Sequence, residues 1–175
     1  FAMQQTLLAL VALMTVTFLN FNQTQSKLHH QKEVVRSEME GMAASVAMQT
    51  IGVIRTRAFD AKTVNVSKDE IDGPEDFTDP DFTIGNQCKA FFPDTGAVCS
   101  DVDDFHKMNT AIVPFKTPEF EVQFKVDVEV QYVNQNLQPV AQRTYRKKVI
   151  VKVQDRGENP HLPKPIQFSE VLTFY

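Results

Sequence analysis

The first 58 residues, Phe1 to Ala58, limit what this chain can fold into more than any other stretch. They contain no proline and only two glycines, and all nine prolines come later. Residues 1–26 carry no charged side chain. Within them runs Leu7-Leu8-Ala9-Leu10-Val11-Ala12-Leu13-Met14, continued by Val16, Phe18, Leu19 and Phe21. From Lys27 the helical pattern goes on with charges added. One helix of this length extends ~87 Å at ~1.5 Å per residue. A single domain does not bury such a rod, so its first half needs apolar surroundings outside its own subunit. Lipid or other copies of the chain would serve.

As a membrane span the segment is marginal. Crossing takes ~20 mostly apolar residues, and Thr15, Thr17, Asn20 and Asn22 dilute the second half. It reads as a segment that inserts and can be withdrawn; a permanent single-span anchor is the alternative. Lys27 to Glu40 is strongly charged, with Val34, Val35 and Met39 on one side, an amphipathic helix pattern. Charge vanishes again from Gly41 to Ile54. A helix apolar nearly all round is covered on more than one side; we expect a β-sheet on one and neighbouring subunits on another. Gly41 and Gly52, ~1,100° apart around the helix, fall on nearly the same face. With Ala44, Ser45 and Met48 they form a small-residue stripe. Each glycine costs up to ~1 kcal/mol of helix propensity, which points to a packing purpose. Arg55 and Arg57 are placed in the last turn, where cations suit the helix dipole.

Composition changes after Ala58. Asp69, Glu70, Asp72, Glu75, Asp76, Asp79 and Asp81 crowd one stretch, and Asp101, Asp103 and Asp104 follow. An acidic surface loop and a calcium site are both open readings, although the spacing matches no EF-hand loop; no metal ligand is assigned. Glu119–Val133 alternates strictly: Phe120, Val122, Phe124, Val126, Val128, Val130 and Tyr132 on one face, polar residues on the other. That is a half-buried antiparallel strand. A turn at Asn134–Pro139 leads to a second strand, Arg143–Val153, with Tyr145, Val149, Val151 and Val153 inward and Lys147 as an interruption. A third, Ile166–Phe174, places Ile166, Phe168, Leu172 and Phe174 on one face. The fold expected is α+β: a long N-terminal helix, about 1–58, with a C-terminal antiparallel sheet of three or four strands packed on its second half. Its parts are an apolar helix (1–26), an amphipathic helix (27–58) and a β-rich head (59–175).

Cys88 and Cys99 flank a short loop bearing Pro93 and Gly96. A disulfide there suits an extracytoplasmic compartment and contributes roughly 3 kcal/mol by restricting the unfolded loop; two separate thiols are the alternative. No catalytic constellation stands out. His29, His30, His106 and His161 are scattered, and His29-His30 lack the i, i+4 spacing that puts two ligands on one helix face. There is no phosphate-binding glycine loop and no GxSxG elbow. No enzyme activity, cofactor or small-molecule substrate is expected. A net charge of −4 gives no general reason to expect nucleic acid as a partner. Arg143, Arg146, Lys147, Lys148 and Lys152 give one basic strand, read as a solvated sheet face, with contact to DNA or to a neighbour's acidic loop as the alternatives. Asn22-Gln23-Thr24 and Asn65-Val66-Ser67 match glycosylation sequons, which are frequent by chance.

The chain begins at Phe, not Met. This raises the expectation of a cleavage just before Phe1 that leaves the apolar region on the mature chain, where a secretory signal peptide would lose it. Phe1, an uncharged apolar stretch, a long amphipathic helix and a β-rich C-terminal region together resemble the type IV pilin family, which includes the pseudopilins of type II secretion. The resemblance covers the first 58 residues as a motif and the remainder as architecture. One position departs: the family usually has glutamate at the fifth residue, and here the pair is Gln4-Gln5.

The resemblance implies a structural subunit of an extracellular surface filament, a helical homopolymer whose core packs Leu7, Leu8, Leu10, Val11, Leu13, Met14, Phe18 and Phe21. It further implies a precursor held in inner-membrane lipid of the cytoplasmic membrane, cleavage before Phe1 by a prepilin peptidase, N-methylation of Phe1 and ATP-driven assembly by other proteins. In the family the glutamate is thought to neutralise a neighbour's N-terminal amine; here Gln4 or Gln5 would be its partner. The missing glutamate leans toward a minor pilin or a type II secretion pseudopilin. From a different class, the alternative is a membrane-anchored binding domain that never polymerises.

Overall fold

The computed structural model describes residues 2–64, 66–67, 70–80, 88, 99–116, 121–156 and 162–174. Phe1, Asn65, Asp69, Asp81, Phe120 and His161 lie outside them. The architecture is α+β, one long N-terminal helix followed by a four-stranded antiparallel sheet. The chain divides into two compact units, Phe1–Met39 and Glu40–Tyr175.

Helix α1 spans Ala2–Arg55, 54 residues without a proline, or ~81 Å of regular helix. It stops three residues before the expected end. Thr56 and Arg57 donate to the carbonyls of Val53 and Ile54, a tightened last turn, and Ala58 leaves the helix to bridge Asp101. Arg57 therefore lies beyond the helix, and Arg55 is the basic residue of its last turn.

In the second unit the strands are β1 (Met108–Lys116), β2 (Glu121–Tyr132), β3 (Arg146–Asp155) and β4 (Ile166–Thr173), in the order β1-β2-β3-β4. β1 was not anticipated. Its pairing with β2 places Val113 opposite Phe124 and shifts register after Met108. β2 alternates as read: Phe124, Val126, Val128, Val130 and Tyr132 are buried, while Gln123, Lys125 and Glu129 face solvent. β3 starts three residues later than expected. The hydroxyl of Thr144 bonds the carbonyls of Val133 and Arg146 and holds the entry to the strand, and Tyr145 stays exposed. Across β3 and β4, Val151 pairs with Phe168 and Val153 with Ile166.

The core of this unit is the inner sheet face together with a helix stripe. Ala43, Val46, Ala47, Thr50 and Ile54 are buried at three- and four-residue spacing on one helix face. Thr50 returns its hydroxyl hydrogen to the Val46 carbonyl at 2.8 Å, so it enters the core satisfied. Each fully buried Val, Ile or Phe here stabilises by about 1.5–3 kcal/mol. Arg55 at the helix end reaches Glu170 of β4 at 3.6 Å, an exposed pair of small weight. Cys88 and Cys99 form a disulfide, with Cα atoms 5.2 Å apart. In the turn after β2, Asn134 Oδ1 accepts from the amides of Asn136 and Gln138, and Leu137 sits at φ 61° in the left-handed region.

Candidate functional site

The apolar face expected to carry assembly is open along the first unit. Leu7, Leu8, Leu10, Val11, Leu13, Met14, Val16, Phe18, Leu19, Phe21 and Leu28 are each between 51 and 69% exposed. Gln4 and Gln5 are exposed on the same segment. Phe1, whose amine they were expected to meet, lies outside the described residues. Soluble monomers rarely leave a contiguous apolar patch above a few hundred Å² open to water. The helix is long and apolar enough to cross a membrane.

The threonines that dilute the segment are spent internally. Thr15 donates to the Ala12 carbonyl at 2.8 Å, Thr17 to Leu13 and Met14 at 2.9 Å, and Thr24 to Asn20 at 2.9 Å. A hydroxyl satisfied by its own helix costs less to take out of water than a free one. The apolar character therefore extends further along the helix than composition suggests.

On the second unit's part of α1, one side is buried and the other is not. Gly41, Ser45, Met48 and Gly52 are exposed, Met48 at 59%. A Cβ added at Gly41 or Gly52 would meet nothing within 4 Å. Among the described residues, the close approach these glycines permit is thus not used. Beside them Thr50, Gly52, Val53 and Val113 line a shallow apolar groove.

The structure also assembles a group that sequence reasoning missed. Lys147, read as an interruption of β3, points into the core with zero exposure. Its Nζ lies 2.6 Å from Asp60 Oδ2, 2.6 Å from Asp103 Oδ1 and 2.9 Å from the Phe59 carbonyl. The ammonium also sits 4.6 Å from the centre of the Phe59 ring and 5.0 Å from that of Tyr132, a cation–π arrangement. The Tyr132 hydroxyl donates to Asp60 Oδ2 and the Thr78 carbonyl. Phe59 continues into a ring cluster with Phe77 and Phe174 at 5.2 and 5.6 Å.

The two carboxyls differ in their support. Asp60 follows α1 and caps the short turn Ala61–Thr63, accepting from the Lys62 amide. It accepts from the Thr78 amide and hydroxyl as well. Burial alone would raise its pKa, but the Lys147 charge and these donors outweigh burial and hold it well below the usual carboxylate range. Asp103, in the turn Asp103–Phe105, receives only Lys147 at Oδ1, and its Oδ2 has no hydrogen-bond partner among the described residues. Burial pushes its carboxyl up to about 7 against the pull of Lys147, with Asp60 adding to the push.

Of the other acidic residues weighed as calcium ligands, Asp101 and Asp104 are occupied locally. Asp101 accepts from the amides of Asp103 and Asp104, and Asp104 from that of Ser100. Among the described residues no group of three or more His, Cys, Asp or Glu is arranged to hold a metal ion. The basic strand is not uniformly solvated. Lys147 is buried, and Arg143 reaches the Glu75 carbonyl at 2.9 Å and the Asp79 carboxylate, an acidic loop of its own chain. The signal for Lys147 was present in its parity, the same as that of Val149, Val151 and Val153. An inward lysine on a buried strand requires an acid.

No family model matches the chain, and no curated protein or solved structure matches it.

Proposed function

We propose that the chain is a structural subunit of a type IV pilus-like extracellular filament, polymerising through its N-terminal helix. The observation that carries this reading is the open apolar segment from Leu7 to Phe21, uncharged and without a cover in its own unit. Two features support it further. The hydroxyls of the segment are satisfied within the helix. The small-residue stripe at Gly41 and Gly52 leaves room for a second helix. Before assembly the same segment rests in the cytoplasmic membrane; after it, tails of other copies replace lipid around it. The head then forms the filament surface, where a disulfide suits the oxidising exterior.

The test is Leu10→Lys. Leu10 is 57% exposed in the single chain, so the head folds as before. An unpaired ammonium inside an apolar bundle costs several kcal/mol. Sheared surface fractions from cells making the variant should hold far fewer filaments by electron microscopy than those of the parent. Equal filament yield would remove the tail from the assembly interface. Absence of filaments from the parent as well would favour a single-span anchor carrying a binding head.

A further inference from the structure

The cluster at Lys147 has a chemistry that an ordinary ion pair does not need. A primary amine and a carboxyl sit in contact, sealed from solvent, with a second carboxylate touching the same nitrogen. We propose that Lys147 Nζ and Asp103 Cγ join in an intramolecular amide bond formed by the folded chain itself, with Asp60 carrying the proton.

Asp103 is the acyl partner and Asp60 is not. Asp60 is an anion held by donors from Lys62, Thr78, Tyr132 and Lys147, and a carboxylate so held resists attack at carbon. Among the described residues Asp103 has a single donor and an unpartnered Oδ2, and burial favours its neutral acid form. Lys147 passes one proton to Asp103, leaving an amine beside a carboxylic acid. The nitrogen lone pair attacks Cγ, and the carbonyl electron pair moves onto oxygen. Asp60 takes a proton from the nitrogen and delivers it to the hydroxyl; the carbon–oxygen bond breaks and water departs. One ammonium and one carboxylate become one amide and one water, nothing is oxidised or reduced, and Asp60 ends as it began.

In bulk water such a condensation runs uphill. Here two circumstances reverse it. Oriented intramolecular partners react with effective molarities of ~10⁵–10⁸ M. The product also replaces two buried charges with a neutral amide, in a pocket that excludes the water needed for hydrolysis. The rings of Phe59 and Tyr132 flank the nitrogen and form part of that seal. The bond would tie β3 to the turn before β1, residues 44 apart in the chain, and would lock β1 and β2 inside a covalent loop.

Electrospray mass measurement of the full chain, purified in detergent and denatured without reductant, tests this directly. The parent should be one water lighter than the chain with its disulfide closed. Digestion should release a branched peptide joining the Lys147 and Asp103 segments. Lys147→Arg and Asp103→Ala should each restore the missing water. Asp60→Asn, which keeps both partners, should leave most of the chain unlinked. A parent mass without the water loss overturns the proposal, whatever the variants do. So does a water loss that persists in Lys147→Arg, because the water then came from elsewhere.

Discussion

His106 lies one turn from the buried charges and shows how pH reaches the head. Its Nδ1 accepts the Val130 amide at 3.1 Å, which only an imidazole unprotonated at that nitrogen can do. Burial first, then the Lys107 charge, holds its pKa below the ordinary 6.5. The unfolded chain therefore takes up the proton before the folded one as pH falls. Stability from this residue is complete above the ordinary histidine value and is lost as pH drops through it toward the folded pKa. Thermal melting of the head should shift down between about pH 7 and about pH 5. His106→Asn should flatten that part of the profile, because an asparagine oxygen can accept the same amide without titrating. A profile unchanged by the substitution would place the proton elsewhere. Asp60 has the opposite character from Asp103: five donor groups favour its anionic form at rest.

Among the elements, α1 was the most legible because its signals are local: no proline, a 3.6-residue pattern and a charge map that names its neighbours. Its end was misjudged by three residues, since the last turn tightens and Ala58 is captured by Asp101, a partner 43 residues away. β2 was legible for the same local reason, a clean period of two, and β4 from a weaker one that Glu170 interrupts. β1 was not. Asn109 and Thr110 blur the alternation, Pro114 reads as a breaker, and pairing with β2 alone makes the strand. The Lys147 cluster escaped because its members come from a helix exit, a turn and a strand that only the fold brings together. The glycines of α1 permit a test confined to this element. Gly41→Leu adds a side chain where no described residue stands within 4 Å, and it raises helix propensity by up to about 1 kcal/mol. The melting temperature of the head should hold or rise while filament yield falls. Full assembly of Gly41→Leu would mean that no second helix approaches that face.

At the scale of the whole molecule, the chain combines a head that closes its own core with a helical segment that does not. The head buries a continuous apolar face, closes one disulfide and holds Lys147, Asp60 and Asp103 in a buried cluster. The first unit offers a row of large side chains to whatever surrounds it. Such a helix is long and apolar enough to cross a membrane, and the proposed filament reading holds that it passes from lipid into an assembly. Electron cryomicroscopy of material sheared from the surface of cells making the protein distinguishes the two end states. Helical filaments are expected, with residues 7–21 of each copy packed at the centre against the same segment of other copies and the β-sheet heads outside. Images showing the chain only as single copies, with residues 7–21 in lipid and no filament in the sheared fraction, would contradict it.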